Sequence, residues 1–129
     1  MGENRALTLI LIRPGPLRDG VEALLASVDQ VEVVGRTGRI ARAACVVAEH
    51  PVDLLLAEAG FARDAVGRLL ALCQRERPGM RSIVLADDRE QVQEARASGA
   101  DAVLLKGFPA DRFVRTVERL LPDPLDRTL

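Results

Sequence analysis

Three charged side chains stand directly after buried apolar runs, where a folded chain can expose chemistry. Glu58 follows the run LLLA, Lys106 follows AVLL, and Arg13 follows LTLILI. A charge is expensive to bury, so at the end of a buried strand it either reaches solvent or meets a partner of opposite sign. Glu58 can therefore be an active-site acid, a fixed imitation of an active-site group, or only the point where the chain returns to water.

Alternating strands and helices must position these side chains. Strands are predicted over residues 7–12, 31–34, 54–57, 82–86 and 102–105, and an amphipathic helical pattern follows each of them. Asp88 is a candidate N-cap and Gly99 a candidate end for the fourth helix, and Pro109 lies near the start of the fifth. Because the strands are almost continuously apolar, we expect a doubly wound five-stranded parallel sheet of the flavodoxin-like (βα)5 type. Helices on both faces give three layers, α/β/α.

In such a sheet, function sits at the carboxyl ends of the strands. The residues that follow the five strands are Arg13, Arg36, Glu58, Ala86 to Asp88, and Lys106. The segment after the first strand, RPGPLRDG, does not match the G-x-G-x-x-G pattern of a dinucleotide site, and no Walker A loop is present. Standard nucleotide-binding loops are therefore excluded.

Composition limits the class of protein further. The chain has 129 residues, 48% of them hydrophobic, and a formal net charge of −1. This length predicts one domain, residues 1–121, with residues 122–129 as a C-terminal tail or linker stub. The near-neutral charge argues against a dedicated nucleic-acid or membrane surface. The start MGENRA is not a signal peptide, and no apolar run reaches the roughly 20 residues of a membrane span. We expect a cytoplasmic protein.

The sequence contains few histidine and cysteine residues. His50 is the only histidine, and its predicted position is a solvated helix end. Cys45 and Cys73 have no metal-binding spacing and fall on apolar helical patterns, so both are predicted to be small core residues. The sequence therefore predicts no metal site and no catalytic histidine.

Three longer segments carry a family resemblance. They are EVVG (residues 32–35), ERPGMRSIVLA (76–86) and, most specifically, ASGADAVLLK (97–106). From residue 7 to residue 121 the sequence resembles the receiver domain of bacterial response regulators, particularly the branch that precedes LuxR-type DNA-binding domains. The resemblance implies an acidic pair for Mg²⁺ after the first strand, a phosphoaccepting aspartate, a Ser/Thr, an aromatic residue in the fifth strand and a lysine.

This sequence retains one of those positions. Depending on a one-residue gap, Ile12 and Arg13, or Arg13 and Pro14, replace the acidic pair. Glu58 takes the phosphoacceptor place, Ala86 replaces the hydroxyl residue and Val103 replaces the aromatic, while Lys106 remains. Glu58, Arg13 and Lys106 sum to +1, which repels a divalent cation. Asp87 and Asp88 on the adjacent loop can restore some negative charge, although Asp88 is predicted to cap a helix. We expect no Mg²⁺, no other cofactor, no phosphotransfer and no enzymatic activity.

Two interpretations of Glu58 stay open at this point. It can imitate an aspartyl phosphate and hold the domain in one state, or it can belong to a degenerate pocket in which Arg13 or Lys106 merely neutralises it. The resemblance implies association with a protein partner or a second copy through the fourth helix, fifth strand and fifth helix. The charged residues predicted on that face are Arg96, Arg112, Arg115, Glu118 and Arg119.

Two other functions are compatible with the sequence. The chain can be the regulatory half of a DNA-binding transcriptional regulator, with DNA bound only by a domain outside this chain. Less favoured is a small-ligand sensor or enzyme that uses Glu58 and Lys106, because no nucleophile–base pair is present.

Overall fold

The five apolar runs form one parallel sheet in the computed structural model, which describes residues 5–62 and 64–121. Each strand is followed by a helix, and the strand order is β2-β1-β3-β4-β5. The predicted doubly wound flavodoxin-like fold is confirmed. The elements are β1 (Ala6–Leu11), α1 (Pro16–Leu25), β2 (Val31–Thr37), α2 (Ile40–Glu49), β3 (Leu54–Glu58), α3 (Ala65–Glu76), β4 (Arg81–Ala86), α4 (Arg89–Ala97), β5 (Ala102–Leu105) and α5 (Ala110–Leu120).

The sheet separates two apolar cores, which gives the three predicted layers. Side chains from α1 and α5 pack on one face, where Phe113 is completely buried. Side chains from α2, α3 and α4 pack on the other face, around Val47 and Leu70. The central strand β3 is buried along its whole length, because both of its faces are covered. Glu58 is the last residue of this strand.

Two aspartates fix the register at the amino ends of the strands. Asp53 accepts a hydrogen bond from the Leu7 backbone N–H at 2.8 Å. Asp101 accepts one from the Ser82 backbone N–H, also at 2.8 Å. Each carboxylate precedes one strand and binds the start of its neighbour. The charged candidates lie at the opposite, carboxyl edge of the sheet, so these two aspartates are structural.

The edge strand β2 differs most from the sequence prediction. It continues to Thr37, although its apolar run ends at Val34, and its pairing with β1 shifts register between Thr8 and Leu9. Val34 is left over by this shift and is 42% exposed. An edge strand buries fewer side chains, so its polar residues do not mark its end.

One of the two cysteines lies elsewhere than predicted. The prediction that it is a core residue is wrong, since Cys45 is exposed, whereas Cys73 is buried as predicted. Helix α2 buries Ala43 and Val47 instead. His50 follows the helix and is exposed, as predicted. The apolar pattern in this alanine-rich helix is too weak to define its buried face by sequence alone.

The predicted tail or linker at residues 122–129 lies outside the described residues. Within the described ranges, no helix is both long enough and apolar enough to cross a bilayer.

Candidate functional site

The carboxyl ends of four strands bring four charged side chains together at the topological switch point of the sheet. Strands β1 and β3 are neighbours in the sheet, and Arg13 and Glu58 lie at their carboxyl ends. Strand β4 leads into Asp87 and β5 into Lys106, and these complete the cluster. We call Arg13, Glu58, Asp87 and Lys106 the charge cluster.

Glu58 is held by hydrogen bonds to both of its carboxylate oxygens. Its Oε2 accepts from the Arg13 backbone N–H at 2.7 Å and from Arg13 Nε at 2.9 Å. Its Oε1 accepts from Arg13 Nη2 at 3.1 Å and from Lys106 Nζ at 3.3 Å. The Arg13 contact is thus bidentate, the geometry in which a guanidinium binds a carboxylate most strongly. Glu58 is only 4% exposed, so these contacts replace its hydration.

Lys106 joins Glu58 to the loop after β4. Its Nζ lies 2.8 Å from Asp87 Oδ1, closer than it lies to Glu58. With Asp87 included, two cations face two carboxylates and the cluster sums to zero. Asp87 also donates its backbone N–H to Gln91 Oε1 at 2.6 Å. Gln91 lies in the first turn of α4, so hydrogen bonds run from Glu58 through Lys106 and Asp87 to that helix.

The proton affinities follow from these contacts. Burial alone raises the pKa of Glu58, but the side-chain and backbone hydrogen bonds from Arg13 and the hydrogen bond from Lys106 outweigh it and hold the pKa at about 2. Burial lowers the pKa of Lys106, but Asp87 and Glu58 more than compensate, so it lies above its ordinary value. The Arg13 pKa is raised chiefly by its hydrogen bond to Glu58. All three groups are charged at neutral pH.

Two loop residues that the sequence analysis missed support Arg13. The guanidinium carbon lies 5.2 Å from the centre of the Phe61 ring, which is a cation–π distance. Gly60 lies beneath the same guanidinium, and a Cβ at this position would collide with Arg13 Nη2. The absence of a side chain at Gly60 therefore gives Arg13 the space to reach Glu58. No sequence motif signals this role, because it depends on the path of the β3–α3 loop.

Replacing Gly60 by alanine tests this support. We expect Gly60→Ala to displace the flexible end of Arg13, to raise the pKa of Glu58 and to leave the fold intact, because a side-chain tip moves more easily than backbone. An NMR titration of the Glu58 carboxyl carbon measures this pKa. Gly79→Ala is a matched control, since nothing lies within 4 Å of a Cβ placed there. An unchanged Glu58 pKa in Gly60→Ala contradicts the proposed role of Gly60.

The remaining predicted pocket positions lie around the cluster. Ile12 is buried in the α1–α5 core and Pro14 is exposed, so Arg13, which belongs to both alternative pairs, is the residue of the three that contacts Glu58. Ala86 is completely buried, and its backbone carbonyl accepts from the Lys106 N–H at 2.8 Å. Val103 is partly buried against the α2–α4 side of the sheet.

The structure places the other residues singled out from the sequence outside the charge cluster. Asp88 caps α4 by accepting from the Gln91 backbone N–H at 2.9 Å, as predicted. Arg36 is separate from the cluster, because its Nε pairs with Glu22 at 2.7 Å. The predicted partner-face residues, Arg96, Arg112, Arg115, Glu118 and Arg119, are all exposed on α4 and α5.

The side chains of the cluster do not fit Mg²⁺. A magnesium site requires free carboxylate oxygens and room for water in octahedral array. Here both Glu58 oxygens receive hydrogen bonds from cations, and the Arg13 guanidinium lies directly against the carboxylate. Within the described residues, no group of three or more His, Cys, Asp or Glu side chains is placed to hold a metal.

Of the comparisons with known proteins, only the one with solved structures finds matches. No protein-family model matches the sequence, and no curated protein matches it. Solved structures do match. A CheY-like response regulator receiver domain protein from Methanospirillum hungatei has a TM-score of 0.75 at 19% identity, covering 90% of this chain and 94% of that one. A LuxR family DNA-binding response regulator from Silicibacter pomeroyi has a TM-score of 0.72 at 23% identity, covering 89% and 90%.

A third similar structure comes from a different kind of protein. The pilus assembly protein CpaE from Caulobacter crescentus has a TM-score of 0.73 at 18% identity, covering 93% of this chain and 95% of that one. The same architecture thus occurs in proteins named for signalling, for DNA binding and for pilus assembly. The comparisons show that this chain has the fold of CheY-like response regulator receiver domains.

Proposed function

We propose that the chain is a pseudo-receiver: a cytoplasmic signalling domain that accepts no phosphoryl group and acts by binding another protein. The observation that carries the proposal is the bidentate contact between Arg13 and Glu58. It places a fixed cation against a carboxylate at the position where the resemblance implies a metal and a phosphoacceptor. A receiver that transfers phosphate needs Mg²⁺ to offset the charge of the phosphoryl group. In this chain the permanent positive charge of Arg13 takes the place of the metal charge.

The neutral charge cluster favours a domain fixed in one state. In the family that the sequence resembles, aspartyl phosphate is recognised through a hydroxyl residue and a mobile aromatic residue. Ala86 has no side-chain donor, and Val103 has no ring to rotate. Glu58 therefore works as the anionic centre of a permanent network that includes Lys106 and Asp87 rather than as a switch. Because Asp87 hydrogen-bonds to Gln91, this network also holds the first turn of α4.

Exposure to a phosphoryl analogue tests the proposal. We expect that beryllofluoride with Mg²⁺, or a small phosphodonor with Mg²⁺, produces no mass adduct and no shift of the Glu58 or Lys106 backbone amide signals, because Glu58 has no free oxygen and the site has no metal ligands to spare. Intact-mass spectrometry and ¹⁵N-edited NMR measure the two effects. A phosphorylatable receiver treated in parallel shows that the reagents are active. A stoichiometric adduct at Glu58 contradicts the proposal.

A second candidate is the regulatory half of a DNA-binding transcriptional regulator. The similar structure from Silicibacter pomeroyi, named as a DNA-binding response regulator, favours it. The CpaE structure, with comparable similarity, supports a module of a pilus assembly protein equally well. In both cases the receiver-like unit carries the partner surface, and a separate domain supplies the output. Sequencing the complete reading frame in its source genome distinguishes the two.

A small-ligand sensor has less support. The polar groups that would bind such a ligand already bind one another in the charge cluster, so an incoming molecule must displace these bonds.

A further inference from the structure

A groove runs along one outer edge of the sheet, between the edge strand β2 and helix α2. Its floor contains the apolar residues Leu7, Leu9 and Val52, and its sides are formed by residues 34–37 of β2 and by Arg42, Val46 and His50 from the α2 side. The cavity volume is about 260 Å³. We call this feature the β2–α2 groove. Strands β2 and β5 form opposite edges of the sheet, so the groove is separate from the face of α4, β5 and α5.

The apolar surface of the groove is preformed and only partly covered. Val34, the residue left over by the register shift of β2, lines the groove and is 42% exposed. Leu7 and Val46 are partly buried. Gly35 leaves space beside Leu9, because a Cβ at this position would lie 3.3 Å from Leu9 Cδ1. An incoming apolar side chain can therefore bury additional apolar surface here.

Arg42 gives the groove an unpaired positive charge. Arg36 is paired with Glu22 at 2.7 Å, whereas Arg42 is exposed and forms no ion pair within the described residues. No carboxylate lines the groove in the part of the chain that the structure describes. Arg42 lies in the first turn of α2, which contains no acidic residue, so the positive end of the helix dipole adds to its charge. The groove therefore favours a carboxylate beside Arg42.

Strand β2 also offers backbone hydrogen-bonding groups beside the groove. In the described sheet it pairs on one side only, with β1. The outer side of such an edge strand carries N–H and C=O groups without a strand partner. The register shift at Val34 interrupts the pairing, but residues 35–37 return to regular pairing with residues 9–11. This stretch of β2 can therefore accept an added strand.

An extended polypeptide is the occupant that uses all of these features. Its main chain bonds to the strand edge, while every second side chain points to the α2 face, where the groove lies. A helix satisfies its own backbone groups and would leave the edge of β2 unpaired. Nucleic-acid bases stack on aromatic side chains, and within the described residues no aromatic side chain lines the groove.

A second copy of the chain fits the groove less well. In a two-fold dimer centred on the groove, each groove meets the same groove of the other copy. Since the described lining includes Arg36 and Arg42 but no carboxylate, such a contact brings cation towards cation. Like charges brought together across an interface cost affinity. The charge pattern therefore favours a different, acidic partner.

We infer that an extended segment of a different protein adds to β2 as a further strand and fills the β2–α2 groove. The inference rests on the proposed function, in which the domain binds another protein, and it specifies that partner. A Leu, Ile or Val side chain of the segment enters beside Leu9 and Val46, and an Asp or Glu on the same face of the segment pairs with Arg42. No residue of the charge cluster lines the groove, so binding requires no phosphoryl group.

Selection from a phage-displayed library of random linear peptides tests this inference. We expect the full chain to enrich peptides that combine Leu, Ile or Val with Asp or Glu at alternate positions. Synthetic copies of these peptides should shift the amide signals of residues 9, 35 and 46. They should also slow the hydrogen exchange of β2 amides, because an added strand bonds to that edge.

Two variants and one control locate the binding site. Arg42→Glu should weaken peptide binding at least about tenfold, because an attraction becomes a repulsion. Gly35→Val should abolish it by filling the space beside Leu9, and Gly35 does not have a positive φ that valine would oppose. Arg42→Glu changes only an exposed side chain, so it tests the inference even if Gly35→Val is unstable. Arg68→Glu makes the same charge change on the exposed side of α3 and should bind as the wild type does.

Each alternative occupant gives a different result. If no enriched peptide slows the exchange of β2 amides, or if Arg42→Glu binds the peptides as tightly as the wild type, the inference is overturned. Binding of phosphatidylserine vesicles or duplex DNA that Arg42→Glu abolishes assigns the groove to phosphate groups instead. A dimer in sedimentation velocity that Gly35→Val abolishes assigns it to a second copy. A phosphoryl adduct at Glu58 contradicts the proposed function but not the groove, so the two failures are distinguishable.

Discussion

Glu58→Gln is expected to lower the free energy of unfolding at pH 7 by about 2–3 kcal/mol, an order-of-magnitude value for a buried carboxylate with charged partners. Glutamine preserves the shape of Glu58 but removes its charge, and its amide group directs N–H donors at Arg13 or Lys106, which are donors themselves. Those two cations then face Asp87 alone. Urea unfolding of both proteins, followed by circular dichroism, measures the difference.

The same substitution should change how stability depends on pH. The folded-state pKa of Glu58, about 2, lies below its ordinary value of 4.5. A depressed carboxyl pKa contributes stability that is fully present above the unfolded-state value and is lost as pH falls towards the folded-state value. The stability difference between wild type and Glu58→Gln should therefore be constant above about pH 5 and shrink between roughly pH 4.5 and pH 2.

A matched control separates this effect from the general loss of carboxylate charge. Glu49→Gln makes the same chemical change at an exposed residue at the end of α2. We expect a change below about 0.5 kcal/mol for that surface variant. If Glu58→Gln costs as little as Glu49→Gln at pH 7, or costs the same at pH 2.5 as at pH 7, the ionised Glu58 carboxylate does not stabilise the fold.

The sheet was predictable from sequence because its strands obey a strong physical constraint. Strands covered on both faces must be apolar throughout, so the runs around Leu55 and Val84 could be located without any structure. The edge strand β2 lacks that constraint, and its continuation to Thr37 was missed. Cys45 was misplaced for a related reason: neighbouring alanines and valines in α2 leave the direction of its apolar face ambiguous.

The candidate site was predictable in membership but not in geometry. Strand ends in a parallel sheet converge, so Arg13, Glu58 and Lys106 were expected to lie together. The sequence left open whether Arg13 or Lys106 pairs with Glu58, and the structure has both pairs. Gly60 and Phe61 could not be foreseen, because their contacts with Arg13 depend on loop dihedral angles that no periodicity encodes. The proposed absence of Mg²⁺ and of phosphotransfer stays a prediction.

Arg13→Asp combined with Glu58→Asp is expected to create a magnesium-dependent phosphoacceptor at a site that we propose is inert in the wild type. In the wild type, the carboxylates of Glu58 and Asp87 face the cations of Arg13 and Lys106, so the cluster sums to zero. Exchanging Arg13 for a carboxylate changes that sum to −2 and frees oxygen ligands, which is the environment that Mg²⁺ requires. We expect Mg²⁺-dependent amide shifts at residues 13, 58 and 106 and a phosphoryl mass adduct, both measured as for the wild type.

Two comparisons show whether Arg13 is the determining residue. Glu58→Asp alone should bind no Mg²⁺ and take no adduct, because the guanidinium still lies against the carboxylate. Arg36→Asp with Glu58→Asp makes the same charge change at the end of β2, where Arg36 contacts Glu22 rather than Glu58, and should also remain inert. A phosphoryl adduct on Glu58→Asp alone would show that Arg13 does not exclude the metal. A phosphoryl adduct on Arg36→Asp/Glu58→Asp would mean that net charge decides whether this fold accepts phosphate. The cation held on Glu58 above Gly60 and Phe61 would then not be the determining feature.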